Sequence, residues 1–389
     1  MKIVFVGLSG VPYAGRACDS RLANIANMLS EEASVELLNR YSSLSDSTLS
    51  GIELYENVVC KEIIAPRRTK GLFTLLFYVL SLLKEPYDIL QSHRREKIDW
   101  LHLYTGHYID FVIYRIIAKL IGAKIVYEYV EYRSDKPAKG IYHRLNNYLC
   151  DFHGAKLWDS CIAISNYLQD VALKVNPELH IIKVTPIGDF DLFRLNHHNV
   201  SIQDEYVMFC GHAGYFDVVK LIIDSFNASK ISKSKKLLLV LGGSLSQVEQ
   251  ISEYDKHCII KSKLPYDELI ALYKHAFALM IPLRDTMEDI ARFPNKICEY
   301  TAAHGLIITT NNGEMKYYFK NGENALVADE CSVSSIANRL DELEKGKYDI
   351  EKIKDNAYTT GIDNFSIHAY KHKLYNFLNE NHNGQTKNS

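Results

Sequence analysis

Arg292-Phe-Pro-Asn-Lys-Ile-Cys-Glu-Tyr-Thr-Ala-Ala-His-Gly305 runs straight into Leu306-Ile-Ile-Thr-Thr-Asn-Asn-Gly313. Pro294 suits the first turn of a helix, where a missing N–H costs nothing, and Gly305 suits the left-handed residue that ends one. The apolar run at 306–310, closed by Asn and Gly, reads as a buried strand. A helix leading at once into such a strand is half of a parallel βαβ unit. The predicted helix, Asn295–His304, puts the N–H groups of Asn295, Lys296 and Ile297 at its positive end, which favours an anion such as a diphosphate by about 0.3–1 kcal/mol. Arg292 and Lys296 add charge-assisted hydrogen bonds of about 1.5–3 kcal/mol each. Glu299, one turn further in, is placed to accept from two neighbouring hydroxyls, as a ribose offers. The same residues also fit an ordinary amphipathic helix with Lys296 and Glu299 as a surface i, i+3 pair. The helix alone leaves both readings open.

Outward from this segment the alternation continues. Strands are expected at 206–210, 236–241, 258–260 and 277–281, with helices at 218–226, 266–275 and 332–344. The first half repeats the pattern: strands at 3–6, 88–91, 124–129, 161–164 and 181–185, helices at 20–30, 108–121, 140–152 and 166–174. Such alternation implies parallel sheets with crossover helices, here two doubly wound α/β domains. The polar stretch between Arg194 and Asp204 reads as their linker, giving a first domain at 1–195, a linker at 196–204 and a second domain at 205–364. A last helix at 365–378 is expected to cross back onto the first domain, and the polar tail 379–389 to be disordered. Ligands of such sheets bind beyond the carboxyl ends of the strands, so a cleft between the domains is the expected site.

The chain has 389 residues, with 45 Lys plus Arg against 47 Asp plus Glu and a formal net charge of −2. That leaves no general basic field for a nucleic-acid backbone, and no nucleic-acid partner is expected. The eight Cys lie scattered, without a Cys-x-x-Cys pair, which suggests buried thiols rather than a zinc module or disulfide framework. Asp189-Phe-Asp191 and His197-His198 are expected to be structural and solvated, not metal ligands. Met-Lys-Ile-Val-Phe-Val-Gly opens as a strand rather than a signal peptide, and the apolar run Gly71–Leu83 falls short of the ~20 residues a spanning helix needs. A cytoplasmic chain that at most lies on a membrane is expected. Arg67 to Lys84 combines cations with a dense apolar helix; an interfacial helix and a buried crossover helix both fit.

Gly7-Leu-Ser-Gly-Val-Pro-Tyr-Ala-Gly15 joins the first strand to the first helix. Its spacing is not the Gly-x-Gly-x-x-Gly dinucleotide fingerprint. It fits either a plain connecting loop or a loop whose N–H groups touch an acceptor or phosphate.

Phe293 to Gly313, with Asn321-Gly-Glu-Asn-Ala-Leu-Val327, closely resembles the donor-binding segment of the retaining family-four glycosyltransferases of the GT-B fold. Other pieces fall in the family's order: 207–212 with 221–226, 239–243, 265–269 and 279–282 in the second half, and more weakly 124–131, 163–165 and 185–188 in the first. The resemblance implies a GT-B α/β architecture, two doubly wound parallel-sheet domains facing an interdomain cleft. It implies transfer of a sugar, with retention, from a nucleotide diphosphate sugar to a saccharide or lipid-linked saccharide acceptor, in surface polysaccharide or glycoconjugate synthesis. UDP or GDP is the expected nucleotide, and no metal or other cofactor is expected. Glu299 matches the glutamate that holds the donor ribose, and Asn295 to Ile297 the phosphate-binding turn. Gly211 and His212 fall at the opening of the second domain, and Lys263 in the loop near the base. Gly15 and Glu131 fall on the acceptor side. Family members that extend lipid-linked saccharides lie on the cytoplasmic membrane face, for which 67–84 is the expected contact.

The departures are specific. The family's first carboxylate, eight positions before Glu299, is replaced by Ala291. Its phosphate-binding Arg and Lys are replaced by His212 and Asp217, which turns attention to Arg284, Arg292 and Lys296. Val130 stands in place of a first-domain His. A catalytic side chain is therefore left unassigned, and a nucleotide-sugar epimerase or a non-catalytic saccharide or nucleotide-sugar binding protein on the same frame stands as the alternative.

Overall fold

In the computed structural model of the protein, Ile3, Val4, Phe5 and Val6 are wholly buried. A strand buried on both faces is what a central parallel strand with helices on each side requires. The structure describes residues 1–12, 17–41, 53–64, 72–136, 140–200 and 202–383. It divides into two units, Met1–Thr185 with Tyr370–Ser389, and Pro186–Ala369.

The first unit runs β1 (Lys2–Leu8), α1 (Ala17–Ser30), β2 (Ser34–Tyr41), β3 (Val58–Ile64), α2 (Leu72–Arg95), β4 (Trp100–Leu103), α3 (Tyr108–Ile121), β5 (Lys124–Tyr129), α4 (Ile141–His153), β6 (Ser160–Ala163), α5 (Asn166–Val175) and β7 (His180–Lys183). Its strands pair in parallel in the order β3-β2-β1-β4-β5-β6-β7. Right-handed crossovers put α1 on one face of this sheet and α2 to α5 on the other. Consistently, α2 packs on α3, α3 on α4 and α4 on α5.

The second unit runs α6 (Phe190–Leu195), β8 (Tyr206–His212), α7 (Phe216–Ala228), β9 (Lys236–Gly242), α8 (Leu245–Tyr254), β10 (Ile259–Lys261), α9 (Tyr266–His275), β11 (Ala278–Ile281), α10 (Met287–Ala291), α11 (Lys296–Ala302), β12 (Ile307–Thr310), α12 (Met315–Tyr318), β13 (Leu326–Ala328), α13 (Val333–Glu344) and α14 (Ile350–Phe365). The strands order β10-β9-β8-β11-β12-β13, again all parallel. Val207, Leu239, Met280 and Ile308 from four strands pack with Val219, Ile222, Leu340 and Ile353 from the helices, a core in which each buried aliphatic side chain contributes about 1.5–3 kcal/mol. The chain returns to the first unit through α15 (Ile367–Asn383). There the Tyr370 hydroxyl lies 3.1 Å from the Thr185 hydroxyl, His372 Nδ1 lies 3.0 Å from Glu32, and Lys371 pairs with Glu31.

Several sequence expectations change. The strand expected at 88–91 lies within α2; the run is too short to distinguish the two periods, and burial of Glu85, Ile89 and Ser92 follows helical spacing. The strand of that unit is Trp100–Leu103, and β2 and β3 are additions. The first unit ends at Thr185 rather than 195, because α6 packs with the second: the Phe190 ring lies tilted against Tyr358 (5.7 Å between centroids) and Phe193 meets Tyr266 edge to face (6.4 Å). The last helix expected at 365–378 is α15, which runs on to Asn383, and an unexpected helix, α14, precedes it and ends at Phe365. Residues 65–71 of the apolar segment, the side chains of 72–79, 81 and 82, and the tail beyond 383 lie outside what the structure describes. Within the described part, α2 is the crossover between β3 and β4.

Candidate functional site

In the second unit the strand order reverses between β8 and β11, and the crevice beyond the carboxyl ends at such a reversal is where open α/β sheets take ligands. Gly211 and His212 end β8; Leu283 and Arg284 follow β11; Asn312 and Gly313 follow β12. A side chain at Gly211 would put its Cβ 2.5 Å from the Phe209 ring, which would have to move to admit it. His212 is exposed, and its Nδ1 accepts from the Gly214 amide at 2.9 Å. Asn312 Nδ2 donates to the Leu283 carbonyl at 2.9 Å, tying the β11 and β12 ends together.

Beside these ends sits α11, largely buried: Ile297, Cys298, Tyr300 and Thr301 are buried with Glu299. It is shorter than the predicted 295–304, and its ends are built differently. His304, not Gly305, takes the left-handed conformation, at φ 56°. Gly305 is needed for space instead, since a Cβ there would lie 2.3 Å from Leu279 Cδ1. At the other end the Ile297 amide donates to the Pro294 carbonyl and the Cys298 amide to the Asn295 carbonyl, each at 3.2 Å, so the Ile297 N–H is engaged within the turn. The backbone amide of Cys210, in β8, donates to the Tyr300 hydroxyl at 3.0 Å, which fixes α11 against the strand.

Lys296 Nζ lies 2.7 Å from Glu299 Oε2 and 5.8 Å from the centre of the Tyr273 ring. Burial opposes the ammonium, but the Cys210 sulfur and the Glu299 carboxylate outweigh it and hold the Lys296 pKa above its ordinary value. The i, i+3 pair exists, in a largely buried setting rather than on an open helix face.

A residue that sequence reasoning missed organises the two arginines. Asp289, fully buried, takes Arg284 Nε at 2.8 Å and Arg292 at 2.6 Å, and accepts the Arg284 amide at 2.8 Å. Burial alone would raise its pKa; the two guanidinium groups reverse that and hold it below the usual carboxylate range. Arg284 also donates to Asp217 at 2.5 Å and Glu288 at 3.0 Å, and its hydrogen bond to Asp289 is the first reason its pKa is raised. Arg292 stacks over Tyr215 at 4.7 Å, with a buried Nε that has no hydrogen-bond partner. The signal for Asp289 was available: an acid two residues before the vacant carboxylate position at Ala291, with arginines on both sides.

Lys263 is exposed, with a left-handed backbone at φ 54° beyond β10. Asp189 caps α6, accepting from the amides of Asp191 and Leu192 at 3.0 and 3.2 Å, while Asp191 pairs with Arg194 at 2.9 Å. Among the described residues no group of three His, Cys, Asp or Glu is placed to hold a metal.

In the first unit Gly15 lies outside the described residues. The described start of its loop is bound inward: the Gly7 amide donates to Glu85 at 3.0 Å and the Val11 amide to Asn39 at 3.0 Å. Glu131 pairs with Arg133 at 3.4 Å and with Lys136.

Residues 196–360 match the family described as glycosyl transferases group 1. No curated protein matches the chain. Among solved structures it is similar to a sucrose-phosphate synthase from Thermosynechococcus elongatus (TM-score 0.77, 13% identity, 98% of each chain covered). It is also similar to Anabaena HepE in complex with UDP and glucose (TM-score 0.72, 14% identity, 97% of this chain and 99% of that one). A third is the lipopolysaccharide outer core galactosyltransferase WaaB in its apo form (TM-score 0.64, 13% identity, 97% and 99%). Residues 196–360 thus match the glycosyl transferases group 1 family, within a chain that has the GT-B fold.

Proposed function

We propose that the protein transfers a sugar, with retention of configuration, from a nucleotide diphosphate sugar to a saccharide or lipid-linked saccharide acceptor, as in surface polysaccharide or glycoconjugate synthesis. The observation that carries the reading is Glu299: a buried carboxylate on α11, one oxygen bound to Lys296 and the other left to accept a hydroxyl, inside the family-matched segment. A ribose diol presents such a hydroxyl. Arg284, which follows β11, and Arg292 are both pinned by Asp289 and are assigned to the diphosphate. Stabilising the leaving diphosphate and orienting the two sugars then carry the rate, through groups held in place before the reaction.

UDP is the first nucleotide to test, because HepE was solved with it. Purified protein is to be offered UDP-, GDP-, ADP- and dTDP-sugars, with nucleotide release measured with and without saccharide acceptors. Release from one donor, accelerated by an acceptor, supports transfer. A converted sugar without an acceptor supports the epimerase reading instead. Tight donor binding with neither outcome supports a binding protein.

A further inference from the structure

We propose that Arg133, on the loop after β5, binds an anionic group, a carboxylate or a phosphate, of a sugar ligand. Given the transfer reading, on which this rests, that ligand is the acceptor. In the first unit the strand order reverses between β1 and β4, which marks the crevice at the carboxyl ends of those strands as a place for a ligand. Gly106 follows β4, and Arg133 follows β5, the next strand of the sheet. Two buried arginines of this unit have their donors taken up. Arg21 binds Glu128 at 2.6 Å and the carbonyls of Thr185 and Val184 at 2.6 and 2.8 Å. Arg40 binds Glu85, Asp110 and Tyr114 at 2.6, 2.9 and 2.7 Å. Arg133 differs. Its side chain is only 22% exposed, its Nε is buried without a hydrogen-bond partner, and its guanidinium meets Glu131 in an ion pair at 3.4 Å. Among the described residues that guanidinium donates no hydrogen bond.

The guanidinium is nevertheless held in place by its surroundings. The Arg133 amide donates to Asp151 at 2.9 Å, and its carbonyl accepts from Asn147 Nδ2 at 2.9 Å; both partners lie on α4. Asn146, on the same helix, donates to the Gly106 carbonyl at 2.9 Å. The guanidinium rests against Gly106, where a Cβ would sit 2.7 Å from Nη1, 3.0 Å from Cζ and 3.1 Å from Nη2. One helix thus fixes both the backbone of the arginine and the peptide under its side chain, which sets the fork before a ligand arrives. Leaving charged donors unsatisfied in a largely buried place is costly until an acceptor supplies the missing bonds. A guanidinium presents paired N–H groups that match two oxygens of a carboxylate or phosphate, and it keeps its charge throughout the working pH range. Glu131, itself shared with Lys136, holds it only at ion-pair distance and leaves the hydrogen-bond positions open.

The test is calorimetry of the full chain with hexuronates and hexose 6-phosphates of gluco, galacto and manno configuration, with the neutral hexoses as matched controls. The same sugars are then offered as acceptors while nucleotide release is measured. At least one anionic sugar should bind about tenfold or more tighter than its neutral parent and accelerate release; the series it belongs to tells a carboxylate from a phosphate. Arg133→Met should weaken that sugar by about 10- to 150-fold, and Arg133→Lys by part of this, with the neutral hexose changed less than about twofold. Gly106→Ala displaces only the mobile end of the arginine, so it should weaken the same sugar with thermal melting unchanged, whether or not Arg133→Met folds. Selectivity between anionic and neutral sugars is the readout that a purely structural arginine would not move. An anionic sugar bound through Arg133 by a chain that releases nucleotide from no donor would support the anion site and overturn the transfer reading. Transfer to neutral acceptors only, equal losses for anionic and neutral sugars, unchanged selectivity in the Arg133 variants, or no anionic sugar bound by the parent would overturn the proposal.

Discussion

Lys296 Nζ stands 2.7 Å from Glu299 Oε2, three residues along a largely buried helix, with the two side chains 28% and 11% exposed. The distance joins stability to function. Without the ammonium, a carboxylate would be enclosed among Tyr273, Tyr300 and Cys210 with no counter-charge, and an unsatisfied buried acceptor costs about 1–3 kcal/mol. Lys296→Met should therefore lower stability by about that amount, while Lys296→Met with Glu299→Gln should recover most of it, since no charge is then left alone. Denaturant unfolding of the three proteins checks this. Equal losses in the single and double variants would mean the pair is not coupled.

Asp289 predicts how the second unit responds to acid. Its folded pKa is lowered, by Arg284 and Arg292 acting against burial. A group with a depressed folded pKa stabilises the fold above its unfolded pKa, about 3.9, and that stability disappears as pH falls through the folded value. The parent should lose stability below about pH 4, and Asp289→Asn should be less stable at neutral pH but show a shallower acid decline. Removing the buried carboxylate from its two partly exposed arginine partners should cost about 1–3 kcal/mol at pH 7. Parallel acid curves for the two proteins would show that Asp289 does not govern this decline.

Asp217 predicts the opposite sign for ligand binding. It holds Arg284 at 2.5 Å from an exposed position in the first turn of α7. If Arg284 meets the diphosphate, Asp217 competes with it, and exposed pairs of this kind are worth about 0.2–1 kcal/mol. Asp217→Ala should tighten UDP binding by up to about fivefold, and Arg284→Ala should weaken it, as read by calorimetry. Weaker binding in Asp217→Ala would place the phosphates elsewhere.

Much of the second unit was legible from local pattern. Tyr266–His275 forms the helix expected there, and the strands at 206, 236 and 278 begin within a residue of expectation, because continuous apolar runs bounded by turns are characteristic of buried parallel strands. Phe293 to Gly313 carried the family. What local pattern misassigned was decided by distant contacts. Gly305 looked like a left-handed stop, yet its constraint is Leu279 across the sheet, and the left-handed turn falls to His304. The 88–91 run looked like a strand because Glu85 and Asp110, which hold Arg40 under α2, are invisible to a window of four residues. Asp289 was passed over because its role depends on two arginines converging on one carboxylate in space.

The central claim, that Glu299 holds the donor ribose, is tested most directly by the affinity of the parent and of Glu299→Ala for UDP and for 2′-deoxy-UDP and 3′-deoxy-UDP. In the parent, removing a hydroxyl that Glu299 accepts should weaken binding by about 10- to 150-fold, the equivalent of about 1.5–3 kcal/mol for a hydrogen bond to a charged group. In Glu299→Ala, binding of UDP should already be weakened, and the difference between UDP and its deoxy analogues should vanish. A folded Glu299→Ala protein that still discriminates UDP from its deoxy analogues as strongly as the parent would contradict the assignment, as would a parent that binds no nucleoside diphosphate.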